Sequence, residues 1–387
     1  MKILYLSRAL VPTEQSNSLS IMRVCQALHD AGHEVLLSAV SPTPPADEDV
    51  SAYYGLKGGF EVHREYLSPR VYNAVTRTTL TDGLVYGWRT RELLKRFAPD
   101  YLYSRLTVSE LTFVPSSLPI IYEMHSLGPL GGSRLESTAF RSLVRHKNFR
   151  RIIVTTDALK NLLAKEFPST EIVVARLSAE PPIEISAAQT AAFRGEELRS
   201  TFRHNVGYTG YLDTINVRGT DIICQIAARM PDVGFHIVGG DETAVEHWRR
   251  YAAQWNKHGN IALYGYRNPS EIPLFLSCLD VVLSPLQFRP KKRAPLGRNM
   301  SPLKIPQYMA YGKAIVASKL NAHLEILEDG KTGFLVEHDD VAAWVTAITR
   351  LLESPTLRAS FGAAARAIYE SEFTPARRVA KILDGLA

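Results

Sequence analysis

Lys304 is the residue whose charge is least explained by local helix formation. Ser301 is a good N-cap and Pro302 suits the first helical position, so the sequence predicts a helix from there to Gly312. Lys304 then lies at the third position of the first turn, where a glutamate would complete a capping box. A cation there faces the partial positive charge of the helix dipole, at a cost of up to about 1 kcal/mol when exposed. A bound anion at this helix start would remove that cost.

Arg218 occupies a similar place before a second predicted helix, which begins at Thr220 or Asp221. Two cations at two helix starts suggest that one anion binds between them. Free backbone amides and the dipole make a helix N-terminus a ready anion site, and a diphosphate would more than offset the cost of Lys304. The alternative is that Lys304 extends its long side chain into solvent. We favour the anion site because the residues before Lys304 define the helix start so clearly.

The composition is that of a well-cored globular protein with room for two large domains. The chain has 387 residues, of which 45% are hydrophobic and 22% are charged, so disorder is not expected. Its cysteines, Cys25, Cys224 and Cys278, are widely separated inside apolar runs, which predicts neither a disulfide framework nor a zinc site. The amino terminus does not have the pattern of a signal peptide, and no run approaches the roughly 18 apolar residues of a membrane span. We therefore expect a cytoplasmic protein.

The net charge of +6 and the pI of about 9.1 indicate anionic partners. Nucleic acid is the least supported of these, because the basic residues are not interleaved with aromatic residues in a recognisable binding motif. We expect no nucleic-acid partner. Phosphorylated small molecules and the head groups of an anionic membrane remain open.

Short β-rich runs alternate with helical patterns along the whole chain, which is typical of parallel sheets with crossover helices. The first alternation fills a domain over 1–183. The polar, alanine-rich stretch over 184–204 follows two prolines and has weak periodicity, so it is interpreted as an interdomain linker. A second alternation fills 205–366. The sequence thus predicts an α/β protein with two Rossmann-like domains facing across a cleft.

Glycines follow the first two strands of the second domain at Gly210, Gly239 and Gly240. In open parallel sheets, ligands bind beyond the carboxyl ends of the strands. Glycine at these positions lets the backbone come close to a ligand, although tight turns also need glycine. Both interpretations remain open for each glycine taken alone.

Several longer motifs share their order and spacing with one known protein family. In the second half these are "VGYTGYLDTINVRGTDII", "SPLKIPQYMAYGKAIVAS" and "GKTGFLVEHDD", and in the first half "IIYEMH" and "RIIVTTDALKNLLAKEF". The series resembles that of the family-four, retaining glycosyltransferases of GT-B fold (group 1), and the likeness covers nearly the whole chain. This resemblance is consistent with a C-terminal helix over 367–387 that packs back on the amino-terminal domain.

The resemblance implies transfer of a sugar from a nucleotide diphosphate sugar to an acceptor, with the anomeric configuration retained. It implies that Lys304 and Arg218 hold the diphosphate and stabilise it as it departs, so that neither a metal nor another cofactor is required. The implied donor site consists of Gly210, Tyr211, Gly239, Gly240, Tyr266, Arg267, Asn299, Ser301, Pro302, Leu303 and Gln307.

His125 ends the predicted strand "PIIYEMH", where members of this family often have a histidine near the transferred sugar. A lone histidine is more often structural, but its place at the carboxyl end of a strand favours a catalytic role. Glu123 faces the same side of the strand, and its expected role is to orient the loop. Ser16, Asn17 and Ser18 stand where relatives usually carry paired glycines in a sugar or acceptor loop. We expect these side chains to hydrogen-bond the sugar or the acceptor, where the glycines of relatives let the backbone approach it closely.

The chain departs from the family at its carboxylates. Many relatives place two glutamates eight positions apart around the helix of Lys304, one near the sugar and one at the ribose, whereas this chain has Asn299 and Gln307. Gln307 can still hydrogen-bond a ribose, as a neutral group. Two alternatives to a transferase therefore stay open: a catalytically silent sugar-nucleotide-binding subunit and a GT-B epimerase that acts on the sugar of the donor.

The common biology of the family implies a saccharide or lipid-linked acceptor at the inner face of a membrane, in cell-surface polysaccharide or glycoconjugate biosynthesis. Two basic stretches bear on this expectation. The stretch 288–299 either covers the donor and attracts an anionic acceptor or is a solvated loop. The stretch 140–151 is either a surface helix or a site of peripheral docking to an anionic membrane.

Overall fold

The computed structural model describes residues 1–14, 16–41, 43, 50–66, 81–106, 108–198, 200–291, 294–296 and 302–386. The chain divides into two compact units. The first is Met1–Arg176 together with Pro375–Ala387, and the second is Leu177–Thr374. Each unit consists of a parallel sheet with helices between its strands, so the predicted α/β class with two Rossmann-like domains is confirmed.

The first unit is built on a sheet of parallel strands in the order β3-β2-β1-β4-β5-β6-β7. The strands are β1 (Lys2–Leu10), β2 (Glu34–Ser41), β3 (Glu61–Tyr66), β4 (Tyr101–Ser104), β5 (Ile120–Met124), β6 (Phe149–Val154) and β7 (Glu171–Val174). The helices between them are α1 (Ser16–Asp30), α2 (Val50–Tyr53), α3 (Thr81–Phe97), α4 (Val108–Leu111), α5 (Arg134–Val144) and α6 (Asp157–Glu166). The near-continuous apolar run of β1 is typical of a strand that is covered on both faces.

The second unit has a parallel sheet in the order β10-β9-β8-β11-β14-β15 and a separate antiparallel pair, β12 with β13. Its strands are β8 (His204–Thr209), β9 (Val233–Val238), β10 (Ile261–Gly265), β11 (Val281–Ser284), β12 (Arg289–Lys291), β13 (Ala294–Leu296), β14 (Ala314–Ser318) and β15 (Phe334–Val336). Its helices are α7 (Ala187–Glu196), α8 (Thr220–Ala227), α9 (Glu242–Ala253), α10 (Ile272–Cys278), α11 (Lys304–Ala310), α12 (Asn321–Leu324), α13 (Val341–Glu353) and α14 (Pro355–Ile368).

The last helix of the chain, α15 (Pro375–Leu383), belongs to the first unit. Together with α1 it covers the sheet face that carries Tyr5 and Tyr103, whose rings stack with centroids 4.6 Å apart. Val379 of α15 is buried on this face. Because side chains alternate along a strand, Glu123 of β5 points to the same covered face and needs polar partners there.

Helix α11 begins at Lys304 rather than at Pro302, so Lys304 takes the first helical position instead of the third. Leu303 precedes the helix without a side-chain cap, and the Ile305 amide donates to the Pro302 carbonyl at 3.2 Å in a preceding turn. The physical reason lies in Pro306, which has no N–H to bond the Pro302 carbonyl four residues earlier. The predicted N-cap, Ser301, lies outside the described residues.

The segment interpreted as a linker forms α7 within the second unit. A capping box between Ser186 and Gln189 defines its start. Phe193 packs edge-on against Phe275 of α10, with ring centroids 4.8 Å apart. Its residues are otherwise mostly exposed, which explains the weak periodicity. The division between the units therefore falls at Arg176 and Leu177 and again at Thr374 and Pro375, not at the predicted boundaries.

Candidate functional site

Two glycines shape the carboxyl edge of the second sheet. Gly210 follows β8 with φ of 144°, and Gly239 follows β9 with φ of 128°. A Cβ atom on Gly239 would lie only 1.9 Å from the Gly210 carbonyl oxygen, so the two loops pass in direct backbone contact. The Gly210 amide donates to the Val238 carbonyl at 2.9 Å. Both positions favour glycine because other residues rarely adopt these φ values, and at Gly239 the backbone of Gly210 also leaves no space for a side chain.

The Lys304 side chain ends beside Gly210. Its Nζ atom donates to the Tyr208 hydroxyl at 2.9 Å and lies 4.0 Å from the centroid of the same ring. A Cβ atom on Gly210 would lie 3.0 Å from Lys304 Cε. The lysine that begins α11 therefore reaches to the carboxyl end of β8, where an anion could bind it.

The electrostatics of Lys304 are those of a cation without sufficient negative charge around it. Burial lowers the pKa of its ammonium group well below the usual value, and repulsion by the Arg218 guanidinium lowers it further, while the Asp213 carboxylate acts in the opposite direction. Both side chains also act on the Tyr208 hydroxyl, Lys304 by direct contact and Arg218 electrostatically. The structure thus brings together the two cations that the sequence singled out.

Arg218 is positioned by Asp213 rather than neutralised by a close ion pair. Arg218 Nε lies 3.6 Å from Asp213 Oδ2, and it has no hydrogen-bond partner among the described residues. The other carboxylate oxygen of Asp213 accepts from the amides of Ile215 at 3.0 Å and Val217 at 3.2 Å. Gly219, with φ of 73°, then leads directly into α8, which begins at Thr220 as predicted. The arrangement leaves an N–H of Arg218 for an anion.

Two further buried side chains hold this edge of the sheet in place. The Tyr308 hydroxyl of α11 accepts from the Thr209 amide at 2.8 Å, and burial raises the pKa of Tyr308 to about 12. His323 Nδ1 donates to the Ser318 carbonyl at 2.7 Å, and its Nε2 lies 2.9 Å from the Ser284 hydroxyl. Burial lowers the pKa of His323 to about 4 against the opposing effect of the Ser318 carbonyl, and the nearby Lys304 charge contributes a smaller lowering effect. His323 is therefore neutral at pH 7 and does not compete with Lys304 and Arg218 for an anion.

The remaining predicted donor residues differ in how well the structure places them. Tyr266 and Arg267 follow β10 on the same edge, where the Gly239 amide donates to the Gly265 carbonyl at 2.8 Å. Gln307 is half-buried in α11, and its side chain makes no hydrogen bond to the residues that the structure describes. The other described members are Gly240, whose φ is 87°, exposed Tyr211, buried Pro302 and half-buried Leu303. Asn299 and Ser301 lie outside the described residues.

Ser16, Asn17 and Ser18 form the first turn of α1 and not a loop. Ser18 is buried, and its hydroxyl donates to the Leu10 carbonyl at 2.7 Å. Its hydrogen bond is therefore already committed to the end of β1, and the prediction that it binds a sugar or an acceptor finds no support. Asn17 is exposed and remains available. Small polar residues are also common at helix starts, which the sequence could not distinguish from a ligand loop.

His125 follows β5 in the first unit and belongs to a buried polar cluster. Its Nε2 hydrogen-bonds to Glu123 Oε1, and the other oxygen of Glu123 accepts from the Tyr103 hydroxyl. Arg378 of α15 donates to Glu123 Oε1 at 3.0 Å. Burial alone would raise the pKa of Glu123, but Arg378 and the hydrogen bond from His125 hold it well below the usual value. Glu123 is thus an ionised carboxylate inside the first unit.

The structure describes the basic stretch 140–151 throughout and the stretch 288–299 in part. In α5, Phe140 and Val144 are buried in the core, so the apolar side of this helix is already covered. Arg141 on its outer side pairs with Glu166 at 2.5 Å. These contacts favour the surface-helix interpretation for 140–144, whereas 149–151 belong to β6. Within 288–299, the structure describes β12 and β13 as an antiparallel pair, whereas 292–293 and 297–299 lie outside the described residues. Among the residues that are described, no helix is long and apolar enough to cross a membrane.

Comparisons with known proteins agree with this architecture. Residues 203–354 match the family model described as glycosyl transferases group 1, and residues 18–176 match glycosyltransferase family 4. The chain is 31% identical over 364 residues to a phosphatidyl-myo-inositol mannosyltransferase of Mycolicibacterium smegmatis, covering 89% of this chain and 83% of the relative.

Solved structures show the same fold at low sequence identity. A glycosyltransferase from Rickettsia africae is similar with a TM-score of 0.73 at 14% identity, over 99% of each chain. Anabaena HepE in complex with UDP-glucose is similar with a TM-score of 0.72 at 17% identity, over 100% of this chain and 99% of that chain. The protein therefore belongs to the family-four, group 1 glycosyltransferases of GT-B fold, which use a nucleotide sugar as the donor.

Proposed function

We propose that this protein is a retaining, metal-independent glycosyltransferase that moves a sugar from a nucleotide diphosphate sugar to a saccharide or lipid-linked acceptor. The observation that carries the proposal is the placement of Lys304 Nζ beside Gly210 and Tyr208 at the carboxyl edge of the second sheet, with Arg218 just before the start of α8 on the same edge. Neither cation has a tight carboxylate partner among the described residues, since Asp213 lies 3.6 Å from Arg218. A diphosphate would supply the missing negative charge to both.

The chemistry follows from where negative charge develops. As the bond between the sugar and the diphosphate breaks, the sugar takes on oxocarbenium character and the departing diphosphate gains charge. Lys304 and Arg218 are held in position by Tyr208 and Asp213 before the donor binds, so little reorganisation is needed at that moment. In this proposal the two cations take the role that a metal ion has in other phosphate chemistry.

Retention and the nature of the acceptor are proposed from the family relationship. His125, on the first unit, is proposed to act on the bound sugar or the acceptor hydroxyl. The Mycolicibacterium smegmatis relative is named as a mannosyltransferase that acts on phosphatidyl-myo-inositol. We extend this to a saccharide or lipid-linked acceptor in the synthesis of a cell-surface polysaccharide or glycoconjugate. The proposed reaction uses the nucleotide sugar as donor substrate and no cofactor.

The test is incubation with a panel of UDP- and GDP-sugars, followed by proton NMR of the released or transferred sugar. We expect slow hydrolysis or transfer of one donor, with the anomeric configuration retained. The rate of this reaction should not decrease when EDTA is added. An inverted product would contradict retention, and loss of turnover with EDTA would contradict metal independence. Tight binding without turnover would instead indicate a silent binding subunit. Conversion of the sugar while it remains on the diphosphate would indicate an epimerase.

Peripheral contact with an anionic membrane is proposed at α3 rather than at α5. Leu84 and Trp88 lie one turn apart on α3, and their exposed fractions are 37% and 60%. Neighbouring Arg91 and Lys95 are exposed and positive. Exposed apolar side chains beside cations suit the boundary between head groups and acyl chains.

Trp88→Ser should lower binding to phosphatidylglycerol-containing vesicles by roughly tenfold in a sedimentation assay, because a buried tryptophan ring contributes at least 1 to 2 kcal/mol. The matched control is Leu135→Ser on α5, where the leucine is 64% exposed. Equal loss in both variants, or none in Trp88→Ser, would contradict docking through α3.

A further inference from the structure

Glu123 is a carboxylate that the fold surrounds with donors. Its side chain is fully removed from solvent. It accepts from the Tyr103 hydroxyl, from His125 Nε2 and from Arg378 Nη2. An isolated buried carboxylate would be neutralised by protonation, so a set of three donors that includes a guanidinium is what keeps it charged.

Arg378, which donates to the Glu123 carboxylate, is itself buried and fixed by hydrogen bonds. Only 1% of the residue is exposed, although it lies beside Val379 on the apolar side of α15. Its Nη1 atom donates to the carbonyls of Ala175 and Arg176, the latter at 2.7 Å, and its Nη2 atom donates to Glu123 at 3.0 Å. The planar guanidinium therefore joins the end of β7 to the end of β5, which a flexible ammonium could not do with the same geometry.

His125 presents its other ring nitrogen outward. The side chain is 27% exposed, and its Nδ1 atom has no hydrogen-bond partner among the described residues. An ionised carboxylate can only accept, so the contact with Glu123 requires the proton to be on Nε2. In the neutral ring, Nδ1 then carries a free lone pair.

We propose that Arg378 is a positioning residue: by keeping Glu123 ionised and fixed, it holds His125 as the Nε2–H tautomer, so that Nδ1 can accept a hydrogen bond from a hydroxyl of the bound sugar or acceptor. This inference rests on the proposed function only in assigning the hydroxyl to a substrate. The tautomer itself is a property of the free protein. In this arrangement, a carboxylate hydrogen-bonds one ring nitrogen of a histidine and thereby fixes the orientation and the tautomer of the ring.

The charged groups facing His125 come from three elements. They are Glu123 on β5, Arg105 after β4 and Arg378 on α15. Burial and Arg105 lower the pKa of His125, Glu123 raises it, and Arg378 lowers it slightly. Both variants should therefore lower this pKa. Glu123→Gln removes the raising influence directly, and Arg378→Met removes it by letting the buried Glu123 take up a proton, which outweighs the loss of the small lowering effect of Arg378.

The experiment uses the full-length protein labelled with nitrogen-15 in its histidines, with the His125 signals assigned from a His125→Ala spectrum. Nitrogen chemical shifts distinguish protonated from unprotonated ring nitrogens. In the wild type we expect a single Nε2–H tautomer. In Arg378→Met we expect a mixture of the two tautomers, and in Arg378→Lys an intermediate result, because the charge remains but the fork is lost. The matched control is Arg377→Met, which removes the exposed arginine next in the chain.

Removing one member of a buried ion pair can unfold a protein, so the double variant Glu123→Gln with Arg378→Met serves as a second test, because it removes both charges together. It should fold and still lose the single tautomer. Where the wild type shows turnover, Arg378→Met should lower kcat by roughly tenfold or more with little change in KM for the donor. Unchanged His125 shifts and pKa in both Arg378→Met and the double variant would overturn the inference. Absence of turnover in the wild type would count against the proposed function and leave the tautomer test intact.

Discussion

Lys304→Ala is expected to weaken binding of a nucleoside diphosphate by roughly 100-fold or more, which corresponds to about 3 kcal/mol. The ammonium group is buried beside Gly210 and Tyr208, where its contacts with an anion would be shielded from water. Its pKa in the free protein is lowered by burial and by Arg218. An incoming diphosphate reverses that situation by favouring the charged form. The fold should remain intact, because the substitution removes a cation that is poorly compensated in the free state.

The measurement is isothermal titration calorimetry with UDP and with GDP, together with thermal unfolding of each variant. Lys257→Ala is the matched control, since this lysine of the same unit is exposed. It should bind like the wild type. Affinity of the wild type should fall as the pH rises through the lowered pKa of Lys304 and its ammonium group loses its proton, and the dependence should be weaker in Lys304→Ala. Wild-type affinity in Lys304→Ala would show that the diphosphate binds elsewhere.

Gly239→Ala is expected to destabilise the second unit by about 3 kcal/mol or more and to abolish donor binding. A methyl group there would lie 1.9 Å from the carbonyl oxygen of Gly210, and Gly239 also has φ of 128°. Because the obstacle is backbone, it can be relieved only by separating the loops after β8 and β9. That movement would displace Gly210 from Lys304.

A matched control separates the clash from the cost of the backbone conformation. Gly259 also has positive φ, 66°, but a Cβ atom there meets nothing within 4 Å. Gly259→Ala should therefore cost only about 1 kcal/mol, the usual penalty of the left-handed conformation, and should leave donor binding unchanged. Both variants are compared by thermal unfolding and by titration with UDP. Equal destabilisation in the two variants would mean that the close approach at Gly239 is not what limits the site.

Local physics accounts for what the sequence indicated about the fold and the candidate site. The α/β alternation could be predicted because strand and helix patterns depend on neighbouring residues. The closeness of Lys304 and Arg218 could be inferred from their places at helix starts, because parallel strands deliver the following helices to one edge of the sheet. The glycines could be identified but not explained, since only the structure shows that Gly239 packs on the carbonyl of Gly210.

Three interpretations differ from the structure, each for its own physical reason. Ser18 is small and polar, as a ligand loop would be, but its hydroxyl bonds to Leu10 within a helix. The stretch 184–204 has the weak periodicity of a linker, but Phe193 packs it onto α10. The start of α11 moved because Pro306 cannot bond back to the preceding turn, a local signal that was present in the sequence but was outweighed by Ser301 and Pro302.

By itself, the sequence determined the α/β class, the two alternations, the family and the pair of cations at helix starts, because each depends on residues close together in the chain or on an ordered series of motifs. Only the tertiary structure decided which side chains complete the sites. Arg378 reaches Glu123 from 255 residues away, and Tyr308 reaches the Thr209 amide from 99 residues away. In the sequence, Arg378 can be identified only as a charged residue next to the apolar positions of a helix, which does not indicate its role. Its partner depends on how α15 packs on the first sheet, which no local pattern specifies.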